Sequence, residues 1–173
     1  AGLRARYVEG VLREMDLRRQ QCRLLAEPQK PLATCYLGGG TPSELEPDLM
    51  ARMLGGVLAG FRLAADFELT AEANPESLTP EVAQAWRQLG IGRVSLGVQS
   101  LDPAVLKLLG RQCDPATARA ALDLAGRTFD RVSADWIIGP GLRKQALLAE
   151  LSEAADRGVE HFSVYILELH PGT

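Results

Sequence analysis

The sequence predicts an α/β fold, a partial barrel of parallel strands with five strands visible. Three observations carry this. Strand patterns alternate with helical patterns along all 173 residues, and such alternation implies parallel strands joined by right-handed crossovers. Polar or glycine-rich residues close every strand: Gly38 to Thr41, Glu72 to Asn74, Gln99-Ser100, Asp135 with Gly139, and Glu168 with His170. A barrel gathers its strand ends around one mouth, whereas an open sheet concentrates ligands at one switch point. Five strands are too few to close a barrel. No linker, low-complexity tract or charge run interrupts the pattern, so residues 1–173 are expected to form a single domain.

The elements follow in order. Leu3 to Leu25 is a helix, with Leu3, Tyr7, Val11 and Met15 recurring every four residues and Arg and Glu on the other face. Pro28 and Pro31 end it. The apolar run Ala33, Cys35 and Leu37, with Tyr36 on the other parity, is expected to be a buried strand. It ends in Gly38-Gly39-Gly40, and Thr41-Pro42-Ser43 turns the chain into a helix over Glu44 to Phe61. Asp66 to Glu72 alternates polar and apolar, which predicts a strand. Thr79-Pro80 opens a helix that Gly90 closes. Arg93 to Gln99 is the third strand, and Asp102-Pro103 and Asp114-Pro115 are two further N-cap and proline starts. A strand over Asp130 to Ile138, a helix over Gln145 to Arg157 and a strand over His161 to Leu169 complete the pattern.

Composition excludes several function classes. A net charge of −3 gives no broad attraction for nucleic acid or an anionic membrane. No run approaches the ~18 apolar residues that a membrane span needs. The start Ala1-Gly2-Leu3-Arg4-Ala5-Arg6 has no initiator Met and no apolar secretory core, so the expectation is an internal piece of a longer cytoplasmic protein. Three cysteines at wide spacing, Cys22, Cys35 and Cys113, do not make a disulfide framework or a C-x-x-C motif. Each is expected to be a small buried hydrophobe.

The strand ends carry the chemistry. Three consecutive glycines let a ligand touch bare backbone, where a simple strand–helix loop needs one. Glu72 can accept hydrogen bonds from hydroxyls or pair with an ammonium, or it can be a solvated strand end. Gln99 offers a donor and an acceptor. Asp135 lies in an apolar run and needs a partner, either a ligand or a neighbouring cation. Arg111 can clamp a carboxylate bidentately, or it can be a surface arginine. His161 and His170 are expected to be structural. Together these groups suit a ligand with an amine, a carboxylate and a sugar-like diol. A phosphate cradle at the glycines is the competing reading.

The ordered set Gly38-Gly39-Gly40-Thr41-Pro42-Ser43, Glu72-Ala73-Asn74-Pro75, Ser95 to Ser100, Leu109-Gly110-Arg111-Gln112 and Tyr165 to Thr173 resembles the radical S-adenosylmethionine proteins of the oxygen-independent coproporphyrinogen III oxidase type. Ala73-Asn74-Pro75 and the residue after Val98-Gln99 lean to its haem chaperone branch. The resemblance implies a (β/α) half-barrel of six units, S-adenosylmethionine as ligand, and a [4Fe-4S] cluster. It implies that Gly38, Gly39, Gly40 and Thr41 hold the methionine amine and Arg111 its carboxylate. Gln99 and Asp135 face the ribose, and Glu72 lies beside the ligand. Haem or a porphyrinogen is the implied partner, bound by a chaperone or, alternatively, decarboxylated by a coproporphyrinogen III dehydrogenase.

The chain departs from that pattern at three places. The three clustered cysteines and the first family strand would lie upstream of Ala1, which would leave the strand around Cys35 as an edge and this chain without metal ligands of its own. Ile138-Gly139-Pro140-Gly141-Leu142-Arg143 is shorter than the family's corresponding loop, and Cys113 stands where His is common. The family's C-terminal domain would also lie beyond this chain.

Overall fold

The structure, a computed structural model, describes residues 2–22, 25, 30–139 and 142–168. Five parallel strands form one sheet in sequence order: β1 (Leu32–Leu37), β2 (Leu63–Ala73), β3 (Arg93–Gln99), β4 (Arg131–Ile138) and β5 (His161–Ile166). Around them run α1 (Leu3–Gln21), α2 (Pro47–Leu58), α3 (Pro80–Gln88), α4 (Pro103–Leu108), α5 (Pro115–Thr128) and α6 (Lys144–Asp156). A parallel sheet in which each neighbour in space is the next in sequence is a barrel wall, here curled and left open.

The strands alternate strictly, and this decides which face does what. Leu69, Ala71 and Ala73 of β2, Val94, Leu96 and Val98 of β3, and Val132, Ala134 and Trp136 of β4 are all buried. They form one core with Trp86 of α3 and Ala118, Leu122 and Ala125 of α5. The opposite parity is polar: Glu68, Thr70 and Glu72, then Arg93 and Ser95, then Ser133 and Asp135, then Ser163 and Tyr165. Register puts Glu72 beside Ser95 and Asp135 beside Ser163. One face of the sheet is therefore packed on helices, and the other is a polar concave wall.

The N-cap prolines behave as their chemistry requires. The Thr79 hydroxyl accepts from the Val82 N–H at 3.3 Å, Asp102 Oδ1 from Ala104 at 2.7 Å and Asp114 Oδ1 from Thr117 at 2.8 Å. At the far end of α2, Arg19 of α1 donates to the carbonyls of Gly56, Val57 and Ala59 and lies over the Phe61 ring. A cation on the last carbonyls of a helix satisfies groups that have no partner within it.

Several expectations need correction. The helix after the glycines does not begin at Glu44. A 3₁₀ turn, Pro42–Glu44, comes first, because Pro47 supplies the helix start three residues later. Helix α1 ends at Gln21 rather than Leu25. Strand β1 is not buried: among the described residues it pairs only with β2, and Ala33, Thr34 and Tyr36 are exposed. Cys113 is buried, but Cys22 and Cys35 are half-exposed. Strand β2 extends beyond Asp66 back to Leu63, and β5 ends at Ile166. The expected strand end at His170, and Pro140-Gly141 of the altered loop, lie outside the described residues.

Candidate ligand site at the barrel mouth

The C-terminal ends of the strands enclose a cavity of 330 Å³ lined by Gly40, Thr41, Glu72, Asn74, Ser95, Gly97, Gln99, Asp135, Ile137 and Tyr165 among others. Five predicted residues, Gly40, Thr41, Glu72, Gln99 and Asp135, meet in its wall. Gly38, Gly39 and Arg111 lie beside it and do not line it.

The glycine loop is held by Glu72. The Gly39 N–H donates to Glu72 Oε2 at 3.0 Å, and the Tyr36 hydroxyl donates to Glu72 Oε1 at 2.8 Å. Both oxygens of the carboxylate thus have a partner within the protein. A Cβ on Gly38 would sit 2.8 Å from the Tyr36 ring and 2.9 Å from Glu72 Oε1, which explains the first glycine. Gly39 and Gly40 have φ of +81° and +62°, a region that glycine enters freely. The turn that follows is stitched to the end of β2. Asn74 Nδ2 donates to Thr41 Oγ1 at 3.4 Å, and the Asn74 N–H donates to Ser43 Oγ at 3.3 Å. The Gly-Gly-Gly-Thr-Pro-Ser and Glu-Ala-Asn-Pro segments are thus one unit.

Strand β3 carries a bulge. Leu96 stands opposite Ala134, but Gln99 stands opposite Trp136, so β3 has one residue more than β4 over this interval. Gln99 itself has φ +70°, the only non-glycine residue with positive φ among those described. Its side chain passes close over Gly97, where a Cβ would meet Gln99 Nε2 at 3.0 Å and Asn74 Oδ1 at 3.2 Å. Arg111 reaches the same spot, with its Nη2 3.5 Å from where that Cβ would sit. Its Nη2 donates to Asn74 Oδ1 at 3.2 Å and to the Gly97 carbonyl at 3.1 Å. It holds the bulge at Gly97.

The electrostatics are one-sided. Burial pushes the Asp135 carboxyl above its ordinary value, and the nearby Glu72 charge adds to this. The Ser163 and Ser95 hydroxyls pull the other way, and so, to a lesser degree, does the His161 imidazole. The Tyr36 phenol is pushed up to about 12, by burial first and then by its bond to Glu72. No Lys, Arg or His lines the cavity among the described residues. Two carboxylates without a lining cation suit a cationic ligand and disfavour a phosphate.

A metal centre is not built from these residues. No group of three or more His, Cys, Asp or Glu among the described residues can hold a metal ion. The three cysteines are free. Burial and the nearby Glu76 push the Cys113 thiol up to about 11, which opposes the thiolate that a cluster needs. His161 is exposed at the start of β5, at the opposite end from the mouth.

Sequence reasoning did not assign Tyr36, Asn74, Ser95 or Tyr165 to the site. Parity contains the signal for Ser95, which lies two residues before Gly97 on the polar face of β3.

An open barrel of parallel strands with a glycine loop and a cavity at their C-terminal ends is an α/β half-barrel, a class that places its ligand sites at that face. The sequence profile of the Radical SAM superfamily matches residues 5–165, and the chain belongs to that superfamily. It is 42% identical over 142 residues to "Heme chaperone HemW" of Mycobacterium tuberculosis, covering 81% of this chain and 36% of that protein. It is 36% identical over 170 residues to "Heme chaperone HemW" of Escherichia coli, covering 96% and 43%. The solved coproporphyrinogen III oxidase HemN of Escherichia coli, described as a radical SAM enzyme, superposes with a TM-score of 0.81 at 23% identity. That superposition covers 98% of this chain and 39% of that one, and it shows a shared fold. The chain spans less than half the length of these relatives. No described helix is long and apolar enough to cross a membrane.

Proposed function

We propose that this chain is the S-adenosylmethionine-binding half-barrel of a haem chaperone-type radical SAM protein. The observation that carries the reading is the pairing of Glu72 and Asp135 at a mouth lined by no cation among the described residues. S-adenosylmethionine brings a sulfonium and an ammonium, and a half-buried carboxylate favours such a partner over water. Gly40 and Thr41 offer backbone and hydroxyl groups to the amine, Gln99 and Asp135 face the ribose, and Arg111, bonded just outside the cavity to Asn74 and the Gly97 carbonyl, is the cation assigned to the carboxylate. When bound, the ligand together with a [4Fe-4S] cluster supplies radical chemistry. The described residues contain no set of cluster ligands, so what this chain contributes is binding and orientation.

Saturation-transfer NMR of the chain with S-adenosylmethionine tests this, because it detects the weak binding expected without iron to anchor the amine and carboxylate. Saturation should reach the adenosine and methyl protons and should be much weaker for S-adenosylhomocysteine, which lacks the sulfonium charge. No transfer at millimolar ligand, or equal transfer for both compounds, would overturn the reading.

For the whole protein, the identity to proteins named haem chaperones supports haem carriage over porphyrinogen oxidation. Anaerobically prepared full-length protein should take up haem and leave coproporphyrinogen III unchanged. Turnover of coproporphyrinogen would reverse that choice.

A further inference from the structure

One buried acid has no place in the site and none in the chemistry above. Glu150 of α6 is 7% exposed, yet it lies in the core behind β3. Its carboxylate accepts from three donors. Ser100 Oγ approaches Oε1 and Oε2 at 3.0 and 3.1 Å, the Leu101 N–H reaches Oε2 at 2.8 Å, and Trp136 Nε1 reaches Oε2 at 2.9 Å. Ser100 and Trp136 are completely buried. Ser100 Oγ in turn accepts from the Asp102 N–H at 3.0 Å, at the start of α4. One carboxylate thus ties together α6, β4, the chain leaving β3 and the cap of the next helix.

The residue immediately before this anchor is Gln99. The Ser100 N–H donates back to the Val98 carbonyl at 2.9 Å, closing a three-residue turn centred on Gln99 at φ +70°. A turn of this kind with positive φ at its centre is rare and strained for a side chain other than glycine. Such a conformation persists only where its surroundings over-determine it. The bulge feeds the turn from one side, with Gly97 held by Arg111. On the other side the backbone is held at Ser100 and Leu101, and both of those bonds end on Glu150.

We infer that Glu150 is a positioning residue. Its buried carboxylate fixes Ser100 and Leu101 so that Gln99 is forced into its left-handed turn and presents its amide to the mouth. This rests on the ligand reading only for its consequence; the backbone role stands apart from it. A carboxylate suits the task because all its neighbours are donors. Glutamine can replace it, with its oxygen accepting from Leu101 and Trp136 and its amide donating to Ser100 Oγ. Leucine cannot, and would leave three buried donors without partners.

The experiment is the φ-sensitive HN–Hα coupling of Gln99 in isotopically labelled chain, read alongside S-adenosylmethionine saturation transfer. Wild type and E150Q should both give the coupling of a positive φ. E150L should move it to the value of an extended residue and weaken ligand contact about tenfold, the worth of one well-placed hydrogen-bonding group. S100A is the milder variant if E150L does not fold. It removes the hydroxyl bonds alone and should give a coupling averaged between the two values. A folded E150L or S100A with the wild-type coupling at Gln99 would overturn the proposal. If wild type shows no ligand contact, the ligand reading falls, while the coupling still decides the role of Glu150.

Discussion

The polar wall of the sheet has two rims, both acidic at their centre, and they are built differently. At the N-terminal rim Glu68 lies 3.4 Å from Arg93 and 3.9 Å from Arg131. Arg93 also donates to Ser133 Oγ, and Asp130 receives both Nη groups of Arg87 at 2.7 and 3.0 Å. At the C-terminal rim Glu72 and Asp135 face each other's charge, and their hydrogen-bond partners are hydroxyls and a backbone N–H. Cavity size does not separate the rims, since a cavity of 420 Å³ opens at the lower one. Pairing does. Acids matched by arginines close a surface, whereas acids left with neutral partners keep a net field for something cationic to meet.

The largest effect should come from giving the upper rim a lining cation, which it lacks among the described residues. In D135K the ammonium can pair with Glu72 and fill the mouth with its own charge. Affinity for S-adenosylmethionine should fall at least about thirtyfold, the loss typical of truncating one partner of a close charged pair. Wild-type saturation transfer in D135K would remove the ground for distinguishing the rims.

The converse change belongs below. R93A takes from Glu68 its nearer partner and from Ser133 its donor. Stability should drop by about 1–2 kcal/mol, as for a partly buried charged hydrogen bond. In a chain of this size that is a fall of several degrees in melting temperature, roughly 2–4 °C per kcal/mol. Calorimetry should show that fall with ligand contact unchanged. Equal loss of both would mean that the two rims are one mechanical unit.

A smaller effect is expected at Tyr36. Y36F removes one of the two groups that orient Glu72, and the phenol is exposed enough for water to replace part of the bond. Ligand affinity should weaken by about fivefold or less, with little change in melting temperature. The phenolate absorbance of wild type should include one tyrosine titrating near 12, and Y36F should lose it.

Much of this was legible in the residues, for physical reasons that can be named. Glycine and proline punctuate, so helix starts at Pro80, Pro103 and Pro115 were readable. Five of the eight predicted site residues line the mouth because strand ends in a parallel barrel converge. What was not legible depends on distant pairing. β1 was expected to be buried because its residues are apolar, and also to be an edge; the edge position holds among the described residues, and it overrides the apolar pattern because burial is set by neighbours. Asp135 was placed in an apolar run, although Ser133, Asp135 and Ser163 occupy a polar face that only register reveals. Glu150 was not readable at all. It shares the apolar face of α6 with Leu147, Leu151 and Ala154, and nothing local says that its carboxylate meets Ser100 and Trp136.

The smallest expected effect is the pH dependence of Asp135, and it joins stability to binding. Its folded pKa is raised by burial above the ordinary 3.8. The native state therefore holds this proton more tightly than the unfolded chain does. The stability it contributes is fully present below the unfolded value and is lost as pH rises through the folded one. Ligand contact should move the opposite way over the same window, because only the ionised carboxylate attracts a sulfonium. Wild type should thus lose a little thermal stability, and gain affinity, as pH rises from below 4 towards neutrality. D135N should flatten both slopes. A parallel rise of stability and affinity with pH would instead mean that Asp135 finds a cationic partner within the protein, and the contrast between the two rims would disappear.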